Sequence, residues 1–68
     1  MNVELETKRL QLKIKAMSKA DLYWEIPWAE KLVDDTKDEG GEVYEWQCKR
    51  LEMFLDAMAK LEGKKVQA

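Results

Sequence analysis

The sequence predicts an all-α fold, a small bundle of two or three helices in a single domain over residues 1–68, with the long C-terminal helix at its centre. Apolar residues recur at three- and four-residue steps through most of the chain, which is the period of an α-helix. Glycines mark both ends of the longest such segment. A chain of 68 residues makes one domain at most, and its core is small.

Residues 2–17 fit either a helix or a strand. Four apolar residues share one helical face: Val3, Leu10, Ile14 and Met17. Asn2 is placed to cap that helix. From Leu10 to Ala16 every second residue is also apolar, which is typical of a strand: Leu10, Leu12, Ile14 and Ala16. A strand would have to pair with a second copy and give an α+β dimer, because no other segment supplies a partner. We expect the helix.

A second helix is expected to begin at Ser18. Ser18 and Asp21 have the spacing of a capping box, with aspartate in place of the usual glutamate. One apolar face follows: Leu22, Ile26, Ala29 and Val33. This face runs through Pro27, and proline inside a helix normally kinks or breaks it. The pattern predicts either one kinked helix to about Lys37, or a short turn followed by a new helix at Pro27.

Aromatic residues in this segment form the candidate partner-binding site. Tyr23 and Trp24 point away from the apolar face, and Trp28 lies one turn further on. They either fold back onto the N-terminal segment or stay exposed, and aromatic residues are common among the positions that carry binding energy at interfaces. The connector that follows, residues 34–41, is acidic and is predicted to steer a basic protein partner through Asp34, Asp35, Asp38 and Glu39.

The third helix is predicted from Glu42 to Glu62, between Gly40-Gly41 and Gly63. Lys64 and Lys65 follow the glycine, where the helix dipole favours cations. One side of this helix carries a regular apolar stripe, with Phe54 beside it: Tyr44, Gln47, Cys48, Leu51, Leu55, Met58 and Leu61.

A second surface on this helix is the candidate oligomer interface. It consists of Val43, Trp46, Arg50, Met53 and Ala57. Apart from Arg50, which lies within it, these residues widen the uncharged arc of the helix to roughly 220°, more than one neighbouring helix needs. Arg50 follows Trp46 by one turn, so its guanidinium can lie on the indole face. The alternative is that Trp46 covers the edge of the core while Arg50 extends to water.

Charge is segregated along the chain although the net charge is only −2. Five basic residues without an acid form the candidate nucleic-acid-binding segment: Lys8, Arg9, Lys13, Lys15 and Lys19. The stretch from Asp21 to Glu45 then contains nine acidic residues and only two lysines. The two segments either pack together and neutralise each other, or present a basic face to nucleic acid and an acidic face to a basic protein.

Composition argues against catalysis and metal binding. The chain has no histidine and a single cysteine, so we expect no catalytic residue, no metal site and no cofactor. No run of about 18 apolar residues is present, so no membrane association is expected. A lone cysteine fits the reducing cytoplasm.

The sequence therefore predicts a non-catalytic cytoplasmic protein that binds another protein, as a regulator or inhibitor, and forms a homo-oligomer. Small phage and plasmid proteins with acidic surfaces often oppose nucleic-acid-binding host proteins, and this chain is similar in size and charge. The alternative is a nucleic-acid-binding module that uses the segment from Lys8 to Lys19.

Overall fold

The computed structural model describes residues 2–63 and contains three helices in that range: α1 (Val3–Lys15), α2 (Lys19–Thr36) and α3 (Gly41–Leu61). Residues 2–63 include no strand. The predicted small all-α bundle is confirmed, and the alternative of an N-terminal strand is wrong. The Cα atoms extend over 35 × 24 × 23 Å.

Helix α1 is fixed by its cap and its charges. The Asn2 side chain accepts a hydrogen bond from the Leu5 backbone N–H at 3.0 Å, as predicted for an N-cap. Acidic residues occupy the first turn and basic residues the last, which suits the helix dipole. These local interactions favour the helix, whereas a strand would have left its backbone groups without a partner inside the chain.

Helix α2 begins at the predicted capping box and continues through its proline. The Asp21 N–H donates to Ser18 Oγ at 3.2 Å, and the Ser18 N–H donates to Asp21 Oδ2 at 3.0 Å. The helix then runs without a break past Pro27 to Thr36, so the alternative of a new helix at Pro27 is wrong. The connector is accordingly shorter than predicted, because Asp34 and Asp35 belong to the last turn of α2.

Helix α3 lies at the centre, since both other helices pack against it. The core consists of Leu10, Leu22, Ala29 and Phe54. Phe54 and Leu22 are fully buried, whereas Leu55, which was predicted within the apolar stripe, is 47% exposed. The buried side of α3 is therefore rotated from the predicted stripe towards Phe54. Helices α1 and α2 both dock on α3, and the side of α3 that lies between their two contact areas is the one that is most buried.

The two ends of α3 are set by glycine. Gly40 and Gly63 have φ values of 64° and 74°, a left-handed conformation that other residues rarely adopt. Gly63 thus ends α3 as predicted, while Lys64 and Lys65 lie outside the described residues. In the described part of the chain, no helix is both long and apolar enough to span a bilayer.

Candidate functional site

The outer side of α2 carries an exposed aromatic surface, which we call the aromatic face: Tyr23, Trp24, Pro27 and Trp28. The three aromatic side chains are 70%, 71% and 60% exposed, respectively. The rings of Tyr23 and Trp24 meet edge to face, with centroids 6.4 Å apart and planes at 90°. The aromatic residues therefore do not fold back onto α1.

The packing of α2 explains why these side chains face solvent. Leu22 and Ala29 are fully buried on the side of α2 that meets α3, and Ile26 packs beside them. Trp24 and Trp28 are four residues apart, so they lie along the opposite side of the same helix. Burial of the inner face thus fixes the outward direction of both indoles.

Acidic residues follow the aromatic face, in the last turn of α2 and in the turn after it. Asp34, Asp35, Asp38 and Glu39 are all exposed, as their predicted steering role requires. Lys31 Nζ lies 3.2 Å from Asp35 Oδ2, so one of these carboxylates already has a partner within α2. The structure brings the predicted aromatic anchors and the predicted acidic residues onto neighbouring parts of α2 and the turn after it.

The basic segment does not form one continuous surface. Lys8 Nζ lies 3.8 Å from Glu4 Oε1, and Arg9 Nη1 lies 3.8 Å from Glu6 Oε2. Both ion pairs are formed within α1. Lys19 lies 3.8 Å from Glu62 at the far end of α3. Lys13 and Lys15 are exposed in the last turn of α1. At about 100° per residue, Arg9 and Lys13 project from a different side of α1 than Lys8 and Lys15 do.

Most of the candidate oligomer interface contributes to packing within the chain. Trp46, Met53 and Ala57 are half-buried against the core, and Val43 is exposed. Docking of α1 and α2 therefore accounts for the wide apolar arc of α3, in agreement with the alternative that Trp46 covers the core edge. That these residues meet a second chain stays a prediction.

Arg50 lies inside this packing. Its side chain is only 18% exposed, and its Nη2 atom lies 3.7 Å from Glu25 Oε2 on α2. Its guanidinium carbon lies 5.1 Å from the Phe54 ring centroid, so the expected stacking on Trp46 is replaced by stacking on Phe54. Among the described residues, Arg50 Nη1 and the nearby Gln47 Oε1 are buried without a hydrogen-bond partner.

A groove between α1 and α3 was not predicted from the sequence. Its volume is about 790 Å³, and it is lined by Lys8, Gln11, Leu12, Ile14, Lys15, Met53, Asp56, Ala57 and Lys60. Ile14, Met53 and Ala57 are half-buried and pack against the core, while the three lysines that line the groove are exposed. Leu12 is 68% exposed between Lys8 and Lys15. An exposed leucine flanked by lysines on one side of α1 was the signal in the sequence.

A second, smaller concavity of about 460 Å³ follows one flank of α3 and includes Tyr44, Cys48 and Glu52. A hydrogen bond between the side chains of Tyr44 and Cys48 raises the pKa of Tyr44, and the negative charge of an ionised Cys48 adds to the effect. Cys48 is a half-buried free cysteine. Its tyrosine neighbour gives it no base that works near neutral pH.

No group of three or more acidic or cysteine side chains within residues 2–63 is arranged to hold a metal ion. Comparison of the chain with protein-family models, with curated proteins and with solved structures finds no match.

Proposed function

We propose that this protein is a non-catalytic binding protein that regulates or inhibits another protein through the aromatic face of α2. The observation that carries the proposal is the exposure of Tyr23, Trp24 and Trp28 on one helix. Large aromatic side chains are costly to leave in water, and tryptophan and tyrosine are enriched among residues that dominate binding energy.

Two physical features favour a protein as the ligand. Helix α2 is anchored by buried Leu22 and Ala29, so the aromatic face is held on a regular element and little conformational entropy is lost on binding. Aromatic surface surrounded by charge is the usual composition of an interface that is buried on binding. Trp24 and Trp28 supply the apolar part, and Tyr23 adds a hydroxyl that can form a hydrogen bond.

The charge around this face indicates a basic partner. The exposed carboxylates at the end of α2 attract positive charge at long range and increase the association rate at low salt. Many nucleic-acid-binding proteins are basic, so an inhibitor of phage or plasmid type that covers such a protein agrees with this layout. We place the protein in the reducing cytoplasm, where Cys48 would remain a thiol.

Nucleic-acid binding through Lys8, Arg9, Lys13, Lys15 and Lys19 is less well supported. Four of these side chains are distributed around α1 and Lys19 lies in the first turn of α2, and three of the five lie near a carboxylate. A contact with one phosphate backbone needs several cations on the same side. The sequence pI of about 5.1 also opposes association with a polyanion.

An affinity capture from the native host tests the proposal, using wild type, Trp24→Ala and the matched control Leu55→Ala. Leu55 is exposed on α3, outside the aromatic face. We expect a protein that wild type and Leu55→Ala retain after nuclease treatment and that Trp24→Ala loses. Retention by Trp24→Ala would contradict the proposal, and loss of every partner on nuclease digestion would favour nucleic-acid binding.

A further inference from the structure

The groove between α1 and α3 and the aromatic face of α2 have complementary properties. The groove is lined by half-buried apolar residues together with three lysines and one aspartate: Lys8, Lys15, Lys60 and Asp56. The aromatic face has Asp21 and Asp34 on its two sides, at about 60° and about 80° around the helix from Trp24. Lys31 and Asp35 form an ion pair near its C-terminal end. One surface is thus basic around an apolar groove, and the other is acidic around an apolar ridge.

We propose that the groove of one molecule binds the aromatic face of a second copy of this chain, so that the protein associates head to tail. The inference rests on the proposed function, because it also treats the aromatic face as a protein-binding surface. It names a second copy as one partner of that surface and assigns the groove as the receiving site.

The two surfaces of one molecule cannot meet each other. The aromatic face lies on the side of α2 opposite Leu22 and Ala29, which pack towards α3. The groove is bounded by α1 and α3. Contact between them therefore requires a second molecule. Such a contact joins two different surfaces, so each pair keeps one free groove and one free aromatic face.

Shape and chemistry both fit a helix in the groove. Amphipathic helices bind partner grooves through side chains at positions i and i+4, which are the positions of Trp24 and Trp28. Leu12, 68% exposed at the edge of the groove, offers apolar surface to an indole. Asp21 and Asp34 would then lie near lysines, where unlike charges set the orientation.

The contact area is small, since one helix face of three aromatic residues covers less than a standard interface. We therefore expect association only at roughly 100 µM and above, with the mass rising beyond that of a dimer as concentration increases. Sedimentation equilibrium under reducing conditions measures this directly. Reducing agent prevents linkage through the free Cys48.

Three variants identify the surfaces. Leu12→Glu places an acid in the groove and removes the receiving site, while Trp24→Ala combined with Trp28→Ala removes the aromatic face. Leu55→Glu makes the same change as Leu12→Glu at another exposed leucine and serves as the control. All these side chains are exposed, and a far-UV circular dichroism melt verifies that each variant is folded.

Mixing the two disrupted variants tests whether the groove of one molecule binds the aromatic face of another. We expect each of the two disrupted variants to be monomeric alone and to form a 1:1 complex when mixed, with twice the mass of one 8.0 kDa chain. In that mixture Leu12→Glu supplies the intact aromatic face, and the double variant Trp24→Ala/Trp28→Ala supplies the intact groove. Leu55→Glu should associate like wild type.

The inference is overturned if wild type stays monomeric at about 1 mM, if the mixture remains monomeric, or if Leu55→Glu abolishes association. None of these results affects the proposed function, which concerns a different protein and is tested by capture with Trp24→Ala. Conversely, loss of selectivity in the capture experiment leaves the mixing result unchanged. The two failures are therefore distinguishable.

Discussion

The guanidinium carbon of Arg50 lies 5.1 Å from the centre of the Phe54 ring, one turn further along α3. Phe54 is fully buried, so Arg50 covers one face of the central aromatic ring in the core. The same guanidinium reaches Glu25 on α2 at 3.7 Å. One side chain thus combines apolar packing, a cation–π contact and an ion pair between helices.

Replacement of Arg50 separates packing from charge. Arg50→Ala should lower the free energy of unfolding by about 1–2 kcal/mol, because it removes the cover of Phe54 together with the cation–π contact. Arg50→Met keeps an apolar stem over the ring and should change stability by less than about 1 kcal/mol. Urea denaturation followed by circular dichroism measures both. Equal losses in the two variants would show that charge, not packing, is decisive.

Phe54 should be the most sensitive position in the chain. Phe54→Ala leaves a cavity among Leu10, Leu22 and Ala29 and should cost about 3–5 kcal/mol, enough to unfold most of so small a domain. Leu55→Ala is the matched control and should cost less than about 1 kcal/mol, since Leu55 is 47% exposed. Chemical denaturation of both variants tests this. Similar losses in the two variants would mean that Leu55 also belongs to the core, as the apolar stripe predicted from the sequence implies.

Pro27 is expected to reduce the stability of α2. Its ring nitrogen cannot donate to the Tyr23 carbonyl, which would be its partner in a regular helix. Pro27→Ala restores that bond and should raise the free energy of unfolding by about 1–2 kcal/mol, or the melting temperature by about 4–15 °C. A thermal melt measures it. An unchanged or lower melting temperature would mean that proline is needed at this position for docking onto α3.

The two parts of the candidate partner-binding site should affect different rate constants. Reversing Asp34, Asp38 and Glu39 to lysine should slow association and flatten its salt dependence, because long-range attraction is lost. Trp24→Ala should accelerate dissociation and cost about 2 kcal/mol or more, roughly 30-fold in affinity. Surface plasmon resonance on the captured partner gives both constants.

Glu52→Lys is the control for these kinetics, since Glu52 is an exposed acid on α3 away from the aromatic face. It should leave both rate constants within about twofold of the wild-type values. If it slowed association as much as the triple reversal does, overall charge rather than the acidic end of α2 would set the rate. If Trp24→Ala unfolded the domain, its indole would belong to the core.

Tyr44 should titrate above the ordinary tyrosine pKa of about 10.0, because its hydroxyl is hydrogen-bonded to Cys48 and an ionised Cys48 repels the phenolate. Cys48→Ala removes both effects and should lower the pKa of Tyr44 towards the ordinary value. Tyr23→Phe leaves Tyr44 as the remaining tyrosine signal. Absorbance at high pH in the Tyr23→Phe background follows the titration. An unchanged midpoint after Cys48→Ala would contradict the proposed cause.

The sequence by itself determined that the chain forms a small helical bundle, and it located most of the helix ends. The N-caps Asn2 and Ser18 and the terminal Gly63 act within a few residues, so their effect can be read without knowing the rest of the fold. The direction of Trp24 away from the apolar face also followed from its phase relative to Leu22 on the same helix, whereas its exposure was left open. The sequence distinguishes helix from strand less clearly at residues 2–17, because an alternating apolar pattern and a helical one coincide there.

Only the tertiary structure decided which side of α3 is buried, because that depends on where α1 and α2 dock. Their combined footprint centres on Phe54, exposes Leu55 and brings Trp46, Met53 and Ala57 into contact with the core. It also placed Arg50 between Glu25 and Phe54, and it opened the groove beside Leu12. These features join residues that are distant in sequence, and a periodic pattern on one helix carries no information about the angle at which another helix meets it.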